Sequence, residues 1–305
     1  MKRLFLFLIF SFSHFLILSI SAQVSAQMKL WDRKYRYPRI NSVEFKGDVP
    51  SLAMYDAIYG HGAMWENEWI GFRVYMDHRQ SIDLYGKKTM QMELDSTNFY
   101  TTNEQWAAGY GEDILFVGGS VGAGSFRGYE SEQPTFVQPV SVRGQRVLCE
   151  GPDTAVVEIY AHDWQYQGRV LQFRQRFTAI RGHRDVQVDV DLTDKGVDEM
   201  CFVTGVQKFE LNSTGSTRAD GLVCSWGSNV PDKEGHPDRI HTLGMAVRVA
   251  KENLVEVKED ALNYLCVVRP VDGHIRYWIA VASDLQQDGG FHSAQSWFDW
   301  CRHSF

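Results

Sequence analysis

The sequence predicts an all-β protein, a large antiparallel β-sandwich that carries one short helix at its C-terminus. Three observations support this class. Apolar and polar residues alternate along strand-length segments from Ile70 onward. These segments follow one another at short spacing and are separated by turn residues. Only residues 293–305 have apolar residues at helical spacing, and the chain shows neither a linker nor an internal repeat of roughly 20–50 residues.

The first residues form a targeting segment. Lys2 and Arg3 precede an apolar stretch over residues 4–20, and Ala26 ends a group of small residues that suits cleavage. We therefore expect a signal peptide over residues 1–26 and a single domain of 279 residues (305 − 26) over residues 27–305. The mature protein is expected to be periplasmic or secreted, without a membrane partner once the signal is removed.

The composition argues against several classes of partner. The formal charge is −7 and becomes −9 when Lys2 and Arg3 are removed (−7 − 2). An acidic chain without a basic run is a poor candidate for binding nucleic acid. The five cysteines show no metal-ligand spacing, so we expect no cofactor, with a divalent cation left as an alternative. Cys201 and Cys266 lie in apolar strand-like runs and are expected to be buried.

The first part of the chain is expected to contain an extended lead-in, a turn and a hairpin. Residues 28–50 form the lead-in, and His61 lies in a turn between two glycines. The segment GFRVYMD alternates apolar and polar side chains, and IDLYGKK pairs with it through the turn HRQ. Lys87 and Lys88, at the end of that second strand, are expected to be solvated. The next segments are predicted, in order, as a loop or short helix over residues 95–112, a buried strand EDILFVG and an irregular glycine-rich loop over residues 118–128.

Strands dominate the remainder of the chain. The residues RGHR, 181–184, form the turn of a clear hairpin, whereas residues 212–239 are rich in Ser, Thr, Gly, Asn and Pro and are expected to be loops. After Ser293, an N-cap residue type, Trp297, Trp300 and Cys301 are spaced three and four apart as in a helix. The predicted strands are PTFVQPVSV, QRVLCE, TAVVEIYA, RVLQFRQRFTAI, DVQVDVDL, MCFVTGVQKF, LGMAVRVA, LNYLCVVRP and HIRYWIAVA.

Three segments carry a resemblance to a known family: HGAMWENEWIGFRVY, IDLYGK and GEDILFVGGSVGAGSF. Together they resemble an exported bacterial family of unknown function that is linked to polysaccharide degradation. The family is similar to galactose-mutarotase-like super-sandwich proteins and to an ulvan oligosaccharide dehydratase. The resemblance implies a super-sandwich fold and an oligosaccharide or polysaccharide substrate. The chain departs from the family pattern at Tyr110 and Phe116, where tryptophan and a basic residue are expected.

Elimination from a uronic acid needs a group that neutralises the sugar carboxylate, a base and an acid. His61, which the flanking glycines leave accessible, is the first candidate for the base or acid, and its alternative role is to cap a carbonyl. Arg73 and Tyr75 share the polar face of one strand and are candidates for substrate binding. For Arg73 the alternative is a structural ion pair with Asp77, Glu66 or Glu68.

Further candidates lie elsewhere in the chain. Tyr110 is a candidate proton donor beside glycines, and His162, in YAHDWQY, is a second catalytic candidate. The remaining candidates for substrate binding are Trp65, Trp106, Tyr166 and Arg174. Tyr110 and the tryptophans have a structural alternative as core residues. For Arg174 the alternative is a cross-strand pair with Asp189 or Asp191.

These observations favour a carbohydrate-active enzyme, a carbon–oxygen lyase of the dehydratase or polysaccharide-lyase type that acts on uronic-acid-containing oligosaccharides by β-elimination. Two alternatives remain open from sequence. One is a sugar epimerase or mutarotase, which also needs an acid and a base. The other is a non-catalytic carbohydrate-binding accessory protein, which the nine Trp and thirteen Tyr would suit.

Overall fold

The computed structural model describes residues 24–305 apart from residue 33, residues 35–36 and residues 233–237. Within these residues the elements are mostly strands. The strands are Ser25–Leu30 (β1), Ser42–Lys46 (β2), Ile58–Glu66 (β3), Ile70–Tyr75 (β4), Ile82–Gly86 (β5), Glu112–Asp113 (β6), Arg127–Glu130 (β7), Gln133–Thr135 (β8), Val142–Glu150 (β9), Thr154–Tyr166 (β10), Arg169–Ile180 (β11), Asp185–Thr193 (β12), Phe202–Gln207 (β13), Leu211–Arg218 (β14), Leu222–Asn229 (β15), His241–Val249 (β16), Leu254–Glu259 (β17), Asn263–Val268 (β18) and His274–Ser283 (β19). The helices are Ser51–Ala57 (α1), Leu94–Thr97 (α2), Asn103–Ala107 (α3) and Ala294–His303 (α4), with 3-10 turns at Val197–Glu199 and Lys251–Asn253.

The strands form three antiparallel sheets, which confirms the predicted all-β sandwich. The central sheet has nine strands in the order β14-β15-β16-β19-β12-β11-β10-β9-β2. A five-stranded sheet in the order β1-β3-β4-β5-β6, called the site sheet below, contains most of the segment with the family resemblance. The back sheet has the order β17-β18-β13-β7-β8. The hairpins predicted between β4 and β5 and between β11 and β12 are both present.

Aromatic side chains join the central sheet to the other two sheets. Trp65 of the site sheet stacks on Phe177 of β11, with ring centroids 4.7 Å apart. Further along the same buried face of β11, Phe126 stacks on Phe173 and on Phe202 of β13. Large rings supply much of the apolar area that a core of this kind removes from water. The site sheet is therefore held against the interior rather than left as a surface hairpin.

The C-terminal helix covers part of the opposite face of the central sheet, as the sequence pattern predicts. Ser293 caps its N-terminus by accepting a hydrogen bond from the amide of Ser296. Trp297 is fully buried and lies over Gly244 of β16, where a Cβ would come within 2.7 Å of the indole ring. Only glycine leaves the strand open for this contact.

Two predictions near the N-terminus are corrected by the structure. The extended lead-in contributes two strands, β1 to the site sheet and β2 to the edge of the central sheet. The turn expected around His61 is instead an irregular part of β3, where the pairing with β1 shifts register between Gln27 and Lys29. A bulge of this kind keeps the strand but redirects a side chain, and sequence alternation does not reveal it.

Two later assignments are also corrected. Beyond β6, EDILFVG is not a strand, because the Asp113 carboxylate accepts a hydrogen bond from the Leu115 amide at 3.2 Å and the chain leaves the sheet. The segment expected to be loops contains the hairpin β14–β15. Strand β14 is the exposed edge of the central sheet, which explains its Ser- and Thr-rich composition.

A buried ion pair anchors the site sheet, contrary to the expectation that Lys87 is solvated. Lys87 donates to Glu66 at 3.0 Å and to the Asn67 carbonyl at 2.8 Å, and both charged side chains are at most 1% exposed. The Glu66 carboxylate also accepts hydrogen bonds from the amides of Glu93 and Leu94 at the start of α2. This network therefore fixes α2 against strand β3.

Among the described residues, no helix has both the length and the apolar character needed to cross a membrane. The predicted signal peptide falls almost entirely on residues 1–23, which lie outside the described residues, and Ser25 and Ala26 are the first residues of β1.

Replacing Lys87 with methionine should strongly destabilise the fold, because it leaves the Glu66 carboxylate buried without its cation. We expect a loss of about 3–5 kcal/mol in the free energy of unfolding, measured by urea denaturation. The matched control is Arg218→Met, which removes the cation of an ion pair whose side chains are 47% and 48% exposed, and we expect it to leave the free energy of unfolding nearly unchanged. Equal losses for the two variants would contradict the structural role of the buried pair.

Candidate functional site

A cavity of about 430 Å³ lies beside the site sheet. Its volume is within the range of pockets that bind small molecules. Its wall combines a histidine, aromatic rings and charged groups from separate parts of the chain. The lining includes His61, Arg73, Tyr75, Phe99, Tyr100, Glu112, Asp113, Asp232 and Arg239.

Arg73, on the central strand β4 of the site sheet, organises this wall. Its guanidinium pairs closely with Asp83, its cross-strand neighbour on β5, and lies 3.2 Å from Asp113 of β6. It also donates to the hydroxyl of Tyr75 at 3.0 Å and to that of Tyr100 at 3.4 Å. Only 2% of the side chain is exposed. Arg73 therefore forms a structural ion pair, which was the alternative to substrate binding. Its partners are Asp83 and Asp113, not Asp77, Glu66 or Glu68.

Asp113 is the partner of Arg73 that reaches the cavity, with 31% of its side chain exposed. Burial, followed by the negative charge of Asp83, raises the pKa of the Asp113 carboxyl well above its usual range, and Arg73 offsets this only in part. Two carboxyl groups that share one cation do not both ionise readily. Asp113 thus keeps its proton to a higher pH than an ordinary aspartate, which suits a group that donates a proton.

His61 reaches the cavity from the irregular part of β3. Its backbone has φ = 67°, a left-handed conformation that is unusual for a residue with a side chain. The imidazole lies 4.6 Å from the ring of Tyr55 and stacks 5.8 Å from that of Tyr75. Burial, and then the charge of Arg73, lowers the pKa of His61 to about 4. The imidazole is therefore neutral near pH 7 and able to accept a proton.

The chain reverses direction after α2 to bring two further rings into the wall. Asn98 and Phe99 both have positive φ, 49° and 70°. The ring of Phe99 lies 4.3 Å below the Arg73 guanidinium, a cation–π contact, and Tyr100 follows it into the cavity. Left-handed backbone at an aromatic residue costs roughly 1–3 kcal/mol, and such strain concentrates at functional sites.

The rim is formed by a second charged group on the far side of β6. Glu112 pairs closely with Arg239 and lies 2.9 Å from the Nε2 atom of His241. Although burial opposes it, the hydrogen bond and charge of His241, together with Arg239, lower the pKa of the Glu112 carboxyl. Neighbouring acidic residues, Glu112 and Asp113, therefore have opposite pKa shifts, which is the arrangement that separates an acid from a base.

The structure brings three of the predicted site residues together, namely His61, Arg73 and Tyr75. Tyr110 is half-buried and does not line the cavity. Trp106 lies beside the rim, but its ring face is occupied by Lys88, whose Nζ atom is 3.1 Å from the ring centroid.

The other predicted residues lie away from this cavity. Trp65 is fully buried between Phe72 and Phe177, so it has no surface to offer a ligand. Tyr166 is 3% exposed, and its hydroxyl donates to the Cys201 carbonyl at 2.7 Å. Both are core residues, which was the structural alternative for the tryptophan.

His162 and Arg174 lie on the outer face of the central sheet, where they line a separate recess of about 80 Å³. His162 contacts Gln172 at 2.8 Å, and Arg174 lies 3.9 Å from Glu158. The cross-strand pair considered for this strand is made by Arg176, which pairs closely with Asp191. The two catalytic histidines proposed from sequence therefore do not converge.

Several residues of the cavity are not among those predicted from the sequence. Asp83 could have been found, because strand alternation in IDLYGKK places it on the face that Arg73 occupies in the paired strand. Asp113 and Tyr100 follow from no local pattern. Arg239 approaches from a segment more than a hundred residues further along the chain. Among the described residues, no group of three or more His, Cys, Asp or Glu side chains is arranged to hold a metal ion.

Comparisons with known proteins give a family but little further detail. No curated protein matches the chain. Among solved structures, a TPR-domain-containing protein from Parabacteroides distasonis matches with a TM-score of 0.40 and 8% sequence identity. The match covers 85% of this chain and 55% of that protein, so this chain spans about half its length. A TM-score this low supports no conclusion about fold or function.

The sequence-family comparison is more extensive. The model of a domain of unknown function, DUF4861, matches residues 18–303, which include every strand of the three sheets and all the residues that line the cavity. The chain therefore belongs to the DUF4861 family.

Proposed function

We propose that this protein is a carbon–oxygen lyase that acts on uronic-acid-containing oligosaccharides by β-elimination, as a dehydratase or a polysaccharide lyase. The proposed location is the periplasm or the cell exterior, where such substrates arise during polysaccharide degradation. His61 is the proposed base and Asp113 the proposed acid.

One observation carries the proposal: a histidine whose pKa is lowered and a carboxyl whose pKa is raised line the same cavity. The pKa of His61 is lowered to about 4, and that of Asp113 is raised well above its usual range. The shifts favour an unprotonated base and a protonated acid. An elimination needs both states at the same time, and perturbed groups that share a cavity are typical of catalytic sites.

The geometry suggests how the steps divide. His61 takes the proton from the carbon beside the sugar carboxylate, and the electrons of that C–H bond form a double bond to the next ring carbon. The C–O bond on that carbon breaks, and the departing oxygen takes the proton of Asp113, leaving as water or as a sugar hydroxyl. Charge that builds up on the carboxylate is stabilised by Arg73 and by the hydroxyls of Tyr75 and Tyr100, whose pKa values are both raised.

The charge balance of the wall is compatible with an anionic substrate. Because the pKa of Asp113 is raised, this wall carries less negative charge around Arg73 than two ordinary carboxyl groups would give. Arg239 at the rim is paired with Glu112, so that pair adds no net charge. The rings of Tyr75 and Tyr100 offer the flat apolar surface on which sugars commonly pack.

Replacing His61 with asparagine should remove the base and keep the fold, because asparagine tolerates the positive φ at this position. We expect the rate of double-bond formation on uronic oligosaccharides to fall by roughly 10²–10⁴-fold. The rate is measured from the ultraviolet absorbance of the conjugated product. His183→Asn, at a histidine whose side chain is 56% exposed in the β11–β12 turn, is the matched control and should be unchanged.

A wild-type rate in His61→Asn would rule out His61 as the base. If the wild-type protein instead exchanges the sugar proton with solvent, seen by NMR without new absorbance, the reaction is an epimerisation. Binding of oligosaccharide with neither signal would indicate an accessory protein.

The pH dependence of kcat/KM should be bell-shaped. The acidic limb is expected at about pH 4, because His61 accepts a substrate proton only above its own pKa. The alkaline limb is set by ionisation of Asp113 and should disappear in Asp113→Asn while the acidic limb remains. An acidic limb near pH 6.5, the ordinary value for histidine, would contradict the environment described for His61.

Asp113→Asn should lower activity and raise stability at neutral pH. The pKa of Asp113 is higher in the folded state than in the unfolded chain, so ionisation favours unfolding, and stability is lost as pH rises above about 3.9. The asparagine side chain cannot ionise, so the variant does not lose stability in this way as the pH rises. We expect a gain of roughly 0.5–2 kcal/mol at pH 7 in thermal or urea unfolding, and no gain at pH 3. Asp83→Asn, which deprives buried Arg73 of its closest partner, should destabilise the protein instead.

A further inference from the structure

Two arginines that the proposed function does not use are buried inside the fold. Arg127 begins strand β7 and Arg143 lies in β9, and they are only 1% and 2% exposed. Arg127 donates to the Phe126 carbonyl at 3.0 Å and to the Ser81 hydroxyl at 3.3 Å. Arg143 donates to the Val137 carbonyl at 3.1 Å. These acceptors are uncharged, so they leave the charge of each guanidinium unbalanced.

Neither guanidinium has a carboxylate within 4 Å among the described residues. Asp77 is the carboxylate whose charge reaches both, and it is occupied by Arg79 at 2.8 Å and by the Tyr55 hydroxyl at 2.6 Å. The Nε and Nη1 atoms of Arg143 are buried, and within the described part of the chain they have no hydrogen-bond partner. Arg143 therefore carries N–H donors without an acceptor.

The two arginines approach each other around the ring of Phe136. The Cζ atom of Arg127 lies 5.4 Å from the centroid of that ring, and Arg143 binds the carbonyl of the next residue. His78 packs edge-on against the same ring at 5.1 Å. Burial lowers the pKa of His78, and the charges of the neighbouring arginines lower it further, although Asp77 opposes them. His78 and Phe136 are half-buried, so solvent reaches one side of this group.

The local charge is positive. Arg79, Arg127 and Arg143, called the arginine cluster below, share the single carboxylate of Asp77. Burial lowers the pKa of Arg127 to about 10 and also lowers that of Arg143, yet both remain far above neutral pH in ordinary buffers. Buried cations of this kind oppose folding unless an anion accompanies them.

We propose that the arginine cluster binds a small monovalent anion of the size of chloride. The free Nε and Nη1 donors of Arg143 hold the ion, and the charge of Arg127 adds to the attraction. Burial favours a monovalent ion, because the cost of taking an ion out of water rises steeply with its charge. Arg127 and Arg143 do not line the cavity that contains His61 and Asp113, so this site is independent of the proposed function.

The test compares thermal unfolding in sodium chloride and in sodium gluconate at pH 7 and equal ionic strength. Gluconate is too large for a buried site, and equal ionic strength keeps the screening of surface charges the same. The unfolding temperature of the wild-type protein should be higher in chloride, by about 4–8 °C when chloride exceeds its Kd about 100-fold. It should also rise with chloride concentration, because the ion binds only the folded chain.

Arg143→Met should abolish the difference between the two salts, because methionine has no N–H donor and removes one of the unbalanced charges. Arg218→Met, which removes an arginine that is 47% exposed, is the matched control and should keep the full difference. An equal unfolding temperature of the wild-type protein in both salts overturns the site. A chloride effect that persists in Arg143→Met overturns it as well.

A second measurement needs no variant and therefore stands even if Arg143→Met does not fold. Crystals of the wild-type protein grown in sodium bromide should show an anomalous peak within hydrogen-bond distance of Nε or Nη1 of Arg143. Well-ordered arginines without such a peak overturn the proposal. Stabilisation of the wild-type protein by sulfate but not by chloride, lost in Arg143→Met, would overturn the choice of a monovalent ion.

Discussion

The cavity depends on one constraint, the burial of the Arg73 guanidinium in the middle of the site sheet. A buried cation must be surrounded by carboxylates and hydrogen-bond acceptors, or it opposes folding. Here the surrounding groups come from strands β4, β5 and β6 and from the turn after α2. Because these same groups form the cavity wall, satisfying the arginine also positions Tyr75, Tyr100 and Asp113 for a ligand.

The site combines this satisfied charge with groups that are held in unfavourable states. His61 and Phe99 have left-handed backbones, the pKa of the His61 imidazole is lowered, and the pKa of the Asp113 carboxyl is raised. Each of these features lowers the stability of the fold, and favourable interactions elsewhere must offset that loss. The stacking of Trp65 on Phe177 of the central sheet and the buried pair of Lys87 with Glu66 are two such interactions.

Much of the sheet structure could be predicted, and little of the site. Alternation in GFRVYMD and IDLYGKK correctly gives the pairing of β4 and β5, and therefore the shared face of Arg73 and Asp83. The glycines beside His61 indicate an unusual backbone, although they suggest a turn where the chain forms a bulge. At β14 the polar composition predicts a loop where the structure has a strand, because an exposed edge strand and a loop have similar compositions.

By itself the sequence determined the all-β class, the main hairpins, the C-terminal helix and the strand that presents Arg73. These follow from local periodicity, which depends on residues a few positions apart. Only the tertiary structure decided which polar groups meet. Asp113, Tyr100 and Arg239 join His61 through strand order, a backbone reversal and a distant segment, none of which is encoded locally. The tertiary structure also sets the pKa shifts of His61 and Asp113, because burial and neighbouring charge exist only in the folded chain.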